Sequence, residues 1–147
     1  MKEINFDFDK PEDSLGYLLW QTTMQWQRQM NRALEKINLT HTQFVILAAL
    51  GWLQKKSNAV TQKEIADHSN TDRMMVSKIL RTLQKNELIE RREHETDTRA
   101  KCVFLTPKGR EILQKAIEIK TLSNNTFFSK LSDPANFGQE LRKITGN

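Results

Sequence analysis

Helix-start signals, more than any other feature, limit what this chain can fold into. Thr40-His41-Thr42-Gln43 has the S/T-x-x-E/Q form in which a hydroxyl caps the new helix and the fourth side chain reaches back to the cap. It opens an apolar run at Phe44, Leu47, Leu50 and Leu53. Thr61-Gln62-Lys63-Glu64 repeats the signal, but that helix is short, because Ile65 and Ala66 are soon followed by the turn-forming Ser69-Asn70. Asn70 or Thr71 is expected to cap a further helix running to about Lys85. Thr106-Pro107 and Asp133-Pro134 each set a capping residue before a proline at the first helical position, and so start two more helices. Upstream, Leu15, Leu18, Leu19, Trp26, Met30, Ala33, Leu34 and Ile37 keep a helical period, and Tyr17, Trp20 and Met24 add a second apolar flank. A helix apolar on two sides needs more than one neighbour, and in a short chain a second subunit is one source of it.

Between Leu88 and Leu105 the pattern changes. Leu88-Ile89 and Val103-Phe104-Leu105 are strand-favouring runs, and Glu93 to Arg99 between them is polar throughout. This reads as a β-hairpin with a tip longer than the 2–5 residues of a compact hairpin loop. The element order then contains a short helix, a tight turn and a longer helix, the helix-turn-helix arrangement. The expected fold is mainly α with a small β-hairpin wing (α+β). Three segments are expected: 1–38 as an N-terminal arm and dimerisation helix, 39–106 as the winged helix-turn-helix lobe, and 107–147 as C-terminal dimerisation helices.

Composition narrows the class. With 147 residues, 37% of them hydrophobic, the chain can bury a real core, so wholesale disorder is excluded. The single Cys102 cannot close a disulfide within the chain. The acidic start MKEINFDFDKPED lacks the apolar stretch of a secretory signal, and the longest apolar run, Phe44 to Leu53, is half of the ~20 residues a membrane span needs. A cytoplasmic location without membrane association is the expectation.

A net charge of +5 permits nucleic acid as a partner without demanding it. The distribution of that charge says more. On a helical wheel Val76, Ile79, Leu80 and Leu83 share one face, while Met74, Lys78, Arg81 and Lys85 share the other, with Ser77 beside them. That second face carries no carboxylate, whereas an ordinary solvated face mixes the signs. The hairpin adds a second cationic element next to it, with Asp97, Arg99 and Lys101.

The stretches LTHTQFVILAAL, TQKEIADHSN and TDRMMVSKILRTLQKNELIERR, followed by Asp97-Thr98-Arg99 and LTPKG, resemble the winged helix-turn-helix regulators of the MarR family over roughly Leu39 to Leu113. The resemblance implies a homodimer, intertwined through its first and last helices, whose two lobes straddle a pseudo-palindromic operator on double-stranded DNA. It assigns base-edge or phosphate contact to Arg73, Met74, Met75, Ser77, Lys78 and Arg81. The methionines can read only thymine methyls, and the wheel favours packing against the preceding helix for Met75. Arg99 matches the wing arginine that enters the minor groove, and Asp97 the carboxylate that orients it. Thr61 and Gln62, at a helix start, are suited to hydrogen bonds with a phosphate, and Lys101 extends the cationic wing. The chain departs from the family in having Asn86-Glu87 where a glycine usually follows the recognition helix; Asn86 is expected to take the left-handed conformation there. His68, Ser69 and Asn70 replace the usual apolar residues and glycine before that helix.

Other chemistry finds little support. His41, His68 and His94 lie in different elements without a spaced acidic or thiol partner, so neither catalysis nor a metal site is expected, and no cofactor. Cys102 reads as core packing; peroxide-sensing relatives carry their reactive cysteine near the start of the first helix, where this chain has none. Trp20, Trp26, Phe44 and Trp52 are candidates to line a small-molecule effector cleft, although aromatic residues at helical spacing are more often core. The expectation is a ligand-responsive repressor. The alternative is a winged-helix module that holds another protein and binds no duplex.

Overall fold

A computed structural model of the chain describes residues 1–93, 96 and 101–147. Helix α1 (Leu15–Leu34) starts where the Ser14 hydroxyl accepts the Tyr17 N–H at 3.3 Å. It tightens into a 3-10 turn and stops at Asn38, whose φ of 55° reverses the chain. Helix α2 (His41–Leu53) has the full reciprocal cap: Gln43 N–H donates to Thr40 Oγ1 at 3.1 Å, and Thr40 N–H to Gln43 Oε1 at 3.0 Å. Thr61 caps α3 (Gln62–Ser69), accepting the Glu64 N–H at 3.2 Å. Thr106 and Asp133 cap α5 (Pro107–Phe128) and α6 (Pro134–Thr145), each followed by its proline.

The cap of α4 (Arg73–Lys85) differs from expectation. It is Asp72, whose Oδ1 accepts the N–H groups of Met74 at 2.9 Å and Met75 at 3.1 Å. Asn70 and Thr71 are occupied in ending α3: Asn70 takes the left-handed conformation, φ 50°, and Thr71 N–H reaches back to the Ala66 carbonyl at 3.0 Å. The residue after α4 is a second correction. Asn86 keeps a negative φ of −82°, and Glu87 adopts the positive φ of 63°.

The hairpin is β2 (Ile89–Glu93) and β3 (Lys101–Leu105), joined by a third strand the sequence reading did not include, β1 (Val60–Thr61). The order is β1-β3-β2, all antiparallel, with Val60 opposite Val103 and Arg91 opposite the same Val103 from the other side. Two residues cannot display a period, so β1 is invisible until β3 lies beside it.

The core is shared by α1 to α5 and the three strands. Met30 and Leu34 of α1, Leu47 and Leu50 of α2, Ile65 of α3, Leu80 and Leu83 of α4, and Val103 of β3 are buried in one cluster. Leu113 and Ala116 seat α5 on it. No residue of α6 is buried, and the first half of α1 leaves Leu15 and Trp20 84% and 62% exposed.

Candidate nucleic-acid interface

Helix α4 sorts its side chains as the wheel requires. Val76, Leu80 and Leu83 are buried, Ile79 is half-buried, and Arg73, Met74, Lys78, Arg81 and Lys85 are exposed. Ser77 lies at the edge between the faces, half-buried. No residue of α4 carries a carboxylate, so its outer face is a stripe of cations with Met74, 81% exposed, near its leading end. Met75 is also exposed, at 51%.

The turn before α4 lacks the glycine usual in this arrangement, and hydrogen bonds replace it. Ser69 Oγ donates to the Ile65 carbonyl at 2.7 Å, and Thr71 Oγ1 to the Ser69 carbonyl at 3.1 Å. These polar side chains satisfy backbone groups that the turn leaves open.

The start of α3, the start of α4 and the root of the hairpin border an open cavity of about 510 Å³. Thr61, Gln62 and Arg73, all candidate contacts from the sequence, line it together with Ser77 and Lys101. Lys63 and Arg91 line it as well, and sequence reasoning missed both. Lys63 follows Gln62 in the capping motif, a signal that was present in the sequence. Arg91 gave none, since its place depends on which strand face it occupies. No described residue lining the cavity carries a carboxylate. Lys78 and Arg81 lie outside this lining, farther along the exposed face of α4. Asp97 and Arg99 lie outside the described residues.

The four aromatic candidates are not brought to one place. Phe44 is buried in the core, and with Trp52 it lines a cavity of about 480 Å³ between α2 and α5, whose rim includes Lys55, Arg110 and Lys120. Trp52 is 53% exposed, with the Lys55 ammonium 4.6 Å from its ring centre. Trp26 turns toward α5, its Nε1–H donating to Asn124 Oδ1 at 2.8 Å. Trp20 stands on the exposed half of α1. Core packing therefore describes Phe44 but neither Trp20 nor Trp52.

His41 is buried at the crossing of α1 and α2, edge-on to Trp26 at 4.7 Å and beside Phe44. Burial lowers its pKa from the ordinary 6.5, because the apolar surroundings disfavour the imidazolium. His68 is exposed on α3, and His94 lies outside the described residues. Among the described residues no group of three His, Cys, Asp or Glu is placed to hold a metal ion. No helix among them is long and apolar enough to cross a membrane. Cys102 is buried on β3.

Residues 35–123 match the ArnR1-like, winged-helix domain family. The chain is 38% identical over 137 residues to the HTH-type transcriptional regulator YdcH of Bacillus subtilis, covering 93% of this chain and 93% of that protein. Among solved structures it is similar to S. aureus MepR in complex with DNA, at 26% identity and a TM-score of 0.77, over 90% of this chain and 95% of that one. It shares its fold with a mutant of E. coli MarR complexed with operator DNA, at 21% identity and a TM-score of 0.79, over 89% and 92% of the two chains. A capped, carboxylate-free α4 beside a three-stranded wing root is thus carried by a chain that belongs to the ArnR1-like winged-helix domain family, and it is an HTH-type transcriptional regulator with the fold of MarR.

Proposed function

We propose that this DNA-binding regulator acts as a homodimeric, ligand-responsive repressor on a pseudo-palindromic operator. The observation that carries the reading is the exposed face of α4, where Arg73, Lys78, Arg81 and Lys85 stand without an intervening carboxylate. An α-helix fits the major groove of B-DNA, and two copies related by a two-fold axis match half-sites about one helical turn apart, ~34–36 Å. Met74 and Met75, both exposed, offer apolar surface of the kind that touches thymine methyl groups. By the family resemblance Arg99, oriented by Asp97, enters the minor groove from the wing. Thr61, Gln62 and Lys101 contact phosphates at the wing root.

The dimer reading rests on apolar surface that one chain leaves uncovered. Leu15, Trp20, Leu122 and Ile144 are each more than 60% exposed, and they lie on α1, α5 and α6. Phe128, Leu131, Phe137 and Leu141 line an open groove of about 470 Å³ between α5 and α6. Surface of this kind on a monomer marks an interface.

The effector reading rests on the cavity between α2 and α5, which combines Phe44 and Trp52 with three cations and so suits an apolar anion. A ligand that fits one arrangement of helices and lobe better than another shifts operator affinity by its difference in affinity for the two.

Selection of bound duplexes from a random pool tests the proposal, followed by mobility shift and sedimentation of the complex. The expected result is an enriched inverted repeat bound by two chains. Binding to no oligonucleotide, even in dilute buffer, would overturn it in favour of a protein-interaction module.

A further inference from the structure

Two adjacent arginines on β2 have different surroundings, and the alternation of a strand is the reason. Arg92 stands on the same sheet face as Glu90 and Phe104: its guanidinium lies 2.7 Å from Glu90 Oε2 and 4.8 Å over the Phe104 ring. Arg91 stands on the opposite face with Ile89 and, across the ladder, Val103, both buried. There its guanidinium is directed beneath the sheet, toward α3 and α4.

We propose that Arg91 is a positioning residue for DNA recognition, acting through Gln62 and Gln84. This rests on the regulator reading above and deepens it. Arg91 Nε donates to Gln84 Oε1 at 2.7 Å, and Nη1 donates to Gln62 Oε1 at 3.2 Å. One side chain from the wing root thus ties the last turn of the recognition helix to the first residue of α3. A guanidinium is a donor only, so it can engage an amide only at its oxygen. Both glutamines are thereby held in one of their two amide orientations, each with its NH2 end turned away from the arginine. Gln62 lines, with Thr61 and Ser77, a cavity bordered by Lys63, Arg73 and Lys101, and an NH2 end freed from the arginine is a donor available there. A set of donors and cations without a carboxylate is suited to a phosphodiester of the duplex backbone.

The role requires a fork. Nε and Nη1 are separate nitrogens of one rigid plane and reach two acceptors on two helices at once. A lysine ammonium keeps the charge but presents all its donors from a single nitrogen. If Arg91 acted as a bare phosphate-binding charge, lysine would serve equally well.

The test uses the full chain and a duplex enriched by selection, with affinity measured across a salt series for the parent, Arg91→Lys, Gln62→Ala and the double variant. Arg91→Lys is expected to weaken binding about tenfold, the scale of one charge-assisted hydrogen bond, with the slope against salt unchanged because no charge is removed. Gln62→Ala is expected to cost a similar factor in the parent and almost nothing when Arg91 is already lysine, since the two act as one unit. Gln62→Ala leaves the strand and its packing intact, so its dependence on residue 91 is not a folding effect. Parent-like binding by Arg91→Lys, a shallower salt slope in that variant, or additive losses in the double variant would each overturn the positioning role while leaving the regulator reading in place. Failure of the parent to bind any duplex would overturn both.

Discussion

Gly109, in the first turn of α5, lies against the carbonyl of Leu88, so close that a Cβ at this position would overlap that oxygen. The approach is drawn in by Thr106, whose N–H donates to the Leu88 carbonyl at 3.1 Å and whose hydroxyl donates to the Glu87 carbonyl at 2.7 Å while accepting the Gly109 N–H at 2.9 Å. The Leu-Thr-x-x-Gly pattern is therefore a weld between the end of the recognition helix and the start of α5. Gly109→Ala must push backbone apart and is expected to destabilise the fold by about 1–3 kcal/mol. Urea unfolding with an unchanged m-value checks it; a stability equal to the parent would refute the weld.

Glu87 holds a φ of 63° one residue before that contact, a conformation costly for any side chain with a Cβ. Glu87→Gly removes the clash and is expected to raise stability by about 1 kcal/mol, read as a higher urea midpoint.

Burial lowers the pKa of His41 from 6.5, so the folded chain keeps it neutral where the unfolded chain would take up a proton. Its contribution is complete above pH 6.5 and is lost as the pH falls from there toward the lowered folded value. His41→Phe, which keeps a ring between Trp26 and Phe44, is expected to flatten the fall in thermal midpoint between about pH 8 and pH 5 relative to the parent. Parallel curves for the two proteins would show that burial of this imidazole is not what makes stability depend on pH.

Lys78 and Arg81 are exposed on the outer face of α4. Replacing both by Ala is expected to reduce the slope of log affinity against log salt by about 0.9 for each phosphate left without its cation. Filter binding over a salt series reads it, and an unaltered slope would remove these two from the residues that touch the DNA backbone.

Asp72 caps α4 with its carboxylate yet sets a negative charge beside the cationic stripe. Asp72→Ala is expected to cost about 1 kcal/mol of stability through loss of the cap. Asp72→Asn keeps an acceptor for Met74 and Met75, removes the charge, and is expected to bind duplex more tightly at low salt. Tighter binding by the alanine variant alone would mean that the cap, and not the charge, limits affinity.

What the amino-acid sequence determined by itself was whatever is decided within a few residues. A threonine and the N–H three residues on make a cap wherever they occur, so Thr40, Thr61 and Thr106 could be read directly, and the two faces of α4 follow from spacing alone. Tertiary structure decided the cases in which several neighbours were chemically eligible. Asn70, Thr71 and Asp72 are all capping types, and Asp72 serves α4 because closing α3 occupies the other two. Asn86 and Glu87 compete for one left-handed position, and the contact between Leu88 and Gly109 goes with Glu87 taking it. Helical spacing made Trp20, Trp52 and Phe44 equally plausible as core, but only packing against other helices separates a buried ring from an exposed one. Arg91 lies 29 residues from Gln62 and on another element, so no local rule could join them. Short-range hydrogen-bond geometry is written along the chain, whereas burial and long-range partnership exist only once the elements share a core.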